Sequence, residues 1–71
     1  MTHMNELFII APSLSPRLEW IIKHDIRTKE VNGKWEAREK DYLVPIGRGP
    51  TEDDAIRDLA VMCNMKLWNE Q

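Results

Sequence analysis

The chain carries a single cysteine in its 71 residues. Cys63 cannot close an intrachain disulfide and stands in no Cys-x-x-Cys pair, which excludes a disulfide framework and a cysteine-rich zinc ribbon. Long hydrophobic runs are missing too. None approaches the roughly 20 residues of a membrane span, and the start shows no basic stretch followed by an apolar one, so neither a membrane segment nor a leader is expected. A cytoplasmic location follows as the expectation. Charge of one sign is also lacking: 10 basic against 12 acidic residues leave a formal net charge of −2. No whole-molecule field would draw the chain to phosphate or an anionic membrane, which weighs against generic nucleic-acid binding.

What remains is one small core. Burial in a body of this size rarely leaves more than roughly 3–5 kcal/mol, so small domains often add disulfides, a metal or association. With the first two disfavoured, association with a partner or as a homodimer is the expected supplement.

Along the chain, the short apolar run from Glu6 to Ala11 reads as a strand by its length. Pro12 and Pro16, bracketing Ser13, Leu14 and Ser15, stop it in a linker or tight corner. From Leu18 to Val31 the pattern reads as one long strand, with Trp20, Ile22, His24 and Ile26 on one face and Lys23, Asp25 and Arg27 on the other. Asn32-Gly33 closes it, a pair that accepts positive φ at both centres of a type I′ turn. That turn sets a register in which Lys29 meets Glu36, Thr28 meets Ala37, Glu30 meets Trp35, and Asp25 meets Lys40. The same register puts apolar Ile26 against Glu39, where a bulge, bend or framing-out is expected.

Tyr42-Leu43-Val44-Pro45-Ile46 reads as a further extended strand, held to an edge by Pro45. Gly47-Arg48-Gly49 opens a loop. Thr51 is the expected N-cap of a helix whose first turn holds Glu52, Asp53 and Asp54, with Asp54 at the position where a capping box carries Glu or Gln. Ile56, Leu59, Ala60, Cys63 and Leu67 form its apolar stripe, flanked by Met62, Met65 and Trp68. The expected fold is a single α+β domain over residues 1–71, with residues 1–5 a flexible end. It consists of a small antiparallel sheet of about three strands, turning at Asn32-Gly33 and packed by one C-terminal helix.

Catalytic sets are hard to assemble. His24, Cys63, Ser13 and Ser15 stand in no nucleophile-elbow or cysteine-protease context. His24 and Asp25, adjacent on a strand, would point to opposite faces. The histidines, Cys63 and the carboxylates show no recognised metal spacing, and no cofactor is expected. The glycine loop before Thr51 lacks the spacing and lysine of a phosphate loop. Binding by contact is the remaining class, and the candidate partner-binding residues are Arg48, the acidic helix start of Glu52, Asp53 and Asp54 with Arg57 as its internal counterion, and Met65 with Trp68. Trp68 has two readings, a cap on the monomer core or an intermolecular contact.

The stretch Gly47-Arg48-Gly49-Pro50-Thr51-Glu52-Asp53-Asp54-Ala55-Ile56-Arg57-Asp58-Leu59 after a hairpin resembles small phage and prophage proteins with a Thr-Glu-x-x-Ala-Ile-x-x-Leu helix, and the HicB-type antitoxin module. The pattern spans about Leu18 to Cys63, without the C-terminal DNA-binding extension of many HicB antitoxins. The region also resembles double-stranded-RNA-binding domains, but Glu52-Asp53-Asp54 stands where those carry lysines, which argues against nucleic acid at the helix start. The resemblance implies a non-enzymatic protein-interaction module: a phage or mobile-element accessory protein, in the bacterial host cytoplasm, that inhibits or regulates a host factor by direct binding. A HicB-like antitoxin or nucleic-acid-linked regulator is the alternative.

Overall fold

A computed structural model describes residues 14–70. Five elements follow in order: helix α1 (Pro16–Lys23), strands β1 (Ile26–Val31), β2 (Lys34–Glu39) and β3 (Gly47–Gly49), and helix α2 (Glu52–Met62). The three strands form one antiparallel sheet in the order β1-β2-β3. Fold class, hairpin and C-terminal helix are thus as the sequence indicates, with a second helix added. The strand expected over Glu6 to Ala11 lies outside the described residues.

The long strand from Leu18 is corrected: its first part is α1. Ser15 is the N-cap, its Oγ accepting from the Leu18 amide at 3.1 Å, and Pro16 takes the first helical position, where its missing N–H costs nothing. Trp20 is buried while Ile22 is exposed, so these two do not share a face. The helix ends at His24 and Asp25, the latter at φ 56° with its N–H on the Ile22 carbonyl, a left-handed cap that turns the chain into β1.

The Asn32-Gly33 turn has φ 53° and 81°, and the register runs as its geometry requires: Lys29 against Glu36, Thr28 against Ala37, Glu30 against Trp35. The irregularity expected at Ile26 and Glu39 is absent, because those residues pair in register. Ile26 is buried and Glu39 half-buried. The bend falls one residue earlier, at Asp25, whose carbonyl still accepts from Lys40 N–H at 2.9 Å.

The third strand is also displaced. Tyr42 to Ile46 is an irregular connection containing a cis Val44–Pro45 peptide, and pairing occurs at Gly47–Gly49 instead. Close packing explains the choice: a Cβ on Gly47 would collide with the Ala55 carbonyl and the Leu59 amide, so only glycine lets β3 lie directly under α2.

Helix α2 starts at Thr51, whose Oγ1 accepts from Asp54 N–H at 3.1 Å and donates to the Asp54 carboxylate at 2.9 Å. It ends in a Schellman motif: Asn64, at φ 57°, donates to Val61 O, and Met65 N–H reaches Ala60 O at 2.8 Å. Both helices lie on one side of the sheet. The core is Trp20, Ile26, Ala37, Ala55, Ile56, Leu59, Ala60 and Leu67, with Ile21, Trp35, Cys63, Met65 and Trp68 packed against it.

Candidate interaction surface

Strand alternation assigns the two faces of the sheet. Ile26, Thr28 and Glu30 pair with Glu39, Ala37 and Trp35 on the helix side, and Ala37 and Trp35 pair with Gly47 and Gly49. The opposite face therefore carries Arg27, Lys29 and Val31 from β1, Lys34, Glu36 and Arg38 from β2, and Arg48 from β3. Five cations share it with one strand carboxylate, although the whole chain is net acidic. No described element covers it.

Arg27 and Arg38 stand directly opposite one another. Arg27 is met by Asp25 at 3.2 Å. Arg38 has carbonyls for partners, donating from Nη1 to Lys40 O at 2.9 Å, Tyr42 O at 3.3 Å and Glu39 O at 3.4 Å. Among the described residues no carboxylate pairs with it. Arg48 reaches Glu36 at 3.4 Å, and its backbone N–H donates to Asp58 at 3.0 Å. Lys29 and Lys34 have no ion pair among the described residues. Arg27, Thr28, Lys29, Glu36, Arg38 and Ile46 line a shallow depression of about 190 Å³.

The β2–β3 connection borders this face, pinned at one end by Arg38 and returning through Ile46. Between those anchors it shows Tyr42, Leu43 and Val44 to solvent, at 59%, 79% and 72% exposure. Three successive large apolar side chains outside the core are costly to leave in water.

The other sequence candidates are occupied within the fold. Arg17 of α1 donates from Nη2 to Glu52 at 2.8 Å and from Nε to Asp53 at 2.9 Å, and Thr28 Oγ1 donates to the second Glu52 oxygen at 2.6 Å. These bonds, Thr28 first and then Arg17, hold the Glu52 carboxyl below its usual range. Asp53 and Glu52 in turn raise the Arg17 guanidinium. The acidic helix start thus has a counterion besides Arg57, which stands 3.6 Å from Asp54. Trp68 packs edge-on against Trp20, with ring centroids 5.6 Å apart and the Arg17 guanidinium 5.8 Å from its ring. Trp20 Nε1 donates to Lys66 O at 2.8 Å. Trp68 and Met65 are both half-buried against the core.

His24 lies with its ring 4.6 Å from that of Trp20, while the Asp25 carboxylate turns to Arg27. Burial, with a smaller push from Glu39, raises the Cys63 thiol, the opposite of what a nucleophile needs. Among the described residues no three His, Cys, Asp or Glu side chains form a group that could hold a metal, and no helix is long and apolar enough to cross a membrane.

Sequence reasoning missed Tyr42, Leu43 and Val44 as an exposed group, because an apolar run beside a proline reads as an edge strand. Arg17 escapes notice because the spacing from Leu18 to Val31 reads as extended. Ser15-Pro16, a hydroxyl cap followed by proline at the first helical position, was the available signal. Compared with family models, curated proteins and solved structures, the chain matches none.

Proposed function

We propose that this chain is a non-enzymatic protein-interaction module that binds its partner through the β2–β3 connection. The observation that carries this reading is the run Tyr42-Leu43-Val44, exposed side by side on a connection held at its root by Arg38. A patch fixed in place loses less entropy on binding than a free loop would. The raised thiol of Cys63 and the engagement of His24 with Trp20 favour binding over covalent chemistry. The narrower reading, a phage or mobile-element accessory protein that inhibits or regulates a host factor in the bacterial cytoplasm, is supported by the sequence resemblance alone. Of the sequence candidates, Arg48 belongs to the proposed surface; Glu52, Asp53, Asp54, Met65 and Trp68 serve the fold in this reading.

The alternative, a HicB-like antitoxin or nucleic-acid-linked regulator, is favoured by one observation, the cationic open face of the sheet. Site-specific photocrosslinking in bacterial cells separates contact at the loop from contact elsewhere. A benzophenone amino acid at position 43 should give a discrete protein adduct, and one at Val61, equally exposed but on α2, should not. Adducts at neither position, or equally at both, would overturn the reading.

A further inference from the structure

We infer that the open sheet face seats an acidic polypeptide segment of the partner, with the Tyr42-Leu43-Val44 connection forming the apolar rim of that site. The inference rests on the protein-binding reading above and names the chemistry of the partner. Its first support is a cost to the fold. Arg27 directly opposite Arg38 places like charges in a cross-strand pair, an arrangement that destabilises a sheet. Asp25 relieves Arg27, but among the described residues Arg38 is met only by carbonyls, so an anion arriving at this face would supply a counter-charge that these residues do not provide. Lys29 and Lys34 lie on the same face, without an ion pair among the described residues.

The choice of a polypeptide over nucleic acid comes from what lies among the cations. Val31 and Ile46 present apolar surface on this side, and Ile46 lines the depression with Arg27, Lys29 and Arg38. Carboxylates interspersed with aliphatic side chains match that mixture, whereas a phosphate backbone has nothing to place against Val31, Ile46 or Leu43.

The test is an amide NMR titration of the full chain with three probes: a short peptide of Glu and Asp flanking a leucine, the same peptide with Lys for each acid, and a random-sequence DNA duplex. The acidic peptide should shift amides of Arg27, Lys29, Lys34, Arg38 and Ile46, and the Lys29→Gln, Lys34→Gln double variant, which removes both cations without setting a second carboxylate opposite Glu36, should bind it about tenfold more weakly. Both lysines are exposed, so the variant keeps its fold, as its unperturbed amide spectrum would verify. Binding of DNA in place of the peptide, shifts away from this face, or equal affinity of the double variant would each overturn the inference. Position-43 adducts together with a peptide that fails to bind would sink the acidic-segment inference and leave the protein-binding reading standing. Loss of both would remove the two together.

Discussion

Gly47 lies so close beneath Leu59 that a Cβ added to it would come within 2.8 Å of the Leu59 Cβ and nearer still to the α2 backbone. Gly47→Ala must therefore push α2 off the sheet, and a loss of about 2–3 kcal/mol is expected, read from the urea midpoint. Gly33→Ala meets no neighbouring atom but forces a side chain into φ 81°, and should cost about 1 kcal/mol. A Gly47→Ala variant as stable as Gly33→Ala would contradict the packing described.

Trp20 holds the last segment of the chain through its indole N–H on Lys66 O. Trp20→Phe keeps a ring in the core but removes this hydrogen bond and part of the buried indole, for an expected loss of about 1–3 kcal/mol by thermal or urea unfolding. Trp68→Phe, at the edge of the same cluster, should cost less. The reverse order would show that Trp20 is not the anchor.

Helix α2 depends on its cap. Thr51→Ala removes both the acceptor for Asp54 N–H and the hydroxyl that donates to the Asp54 carboxylate, and a loss of about 1 kcal/mol is expected in denaturant unfolding. Thr51→Ser should restore most of it.

The bonds from Thr28 and Arg17 lower the Glu52 carboxyl below its reference value of 4.5. A carboxyl whose folded value is depressed contributes stability above its unfolded value and loses it as pH falls through the folded one. The stability gap between the parent chain and Glu52→Gln should thus be open at neutral pH and close progressively below about pH 4.5. Because the pair is partly exposed, the gap should be modest, under about 1 kcal/mol, and shrink in high salt. Urea unfolding across the pH series reads it; a gap that widens on acidification would contradict the geometry.

Much of this architecture is legible from local chemistry. Asn32-Gly33 dictates positive φ and hence register, and Thr51 with its acidic first turn dictates where α2 begins. The errors share a cause: short apolar segments in which tertiary contact decides between periods. Trp20, Ile22, His24 and Ile26 fit alternation by spacing, but Ser15-Pro16 starts a helix that breaks it. Tyr42 to Ile46 has strand composition, yet β3 forms at Gly47–Gly49, where the residue facing Ala55 and Leu59 has no Cβ to collide with them. The cationic face was within reach of the hairpin register, which places Arg27 opposite Arg38. The exposure of Leu43 was not, since nothing local to an apolar run says that the core is already full.

Contact through the β2–β3 connection can be measured by quantitative affinity capture from bacterial lysate with the parent chain and a Leu43→Ser, Val44→Ser double variant. Both positions are solvent-exposed, so the variant should unfold within about 0.5 kcal/mol of the parent. The parent should capture a saturable protein partner and the variant should lose at least about tenfold in affinity, the scale of losing apolar contact residues from an interface. Equal capture by the two, or no saturable partner for the parent, would contradict it.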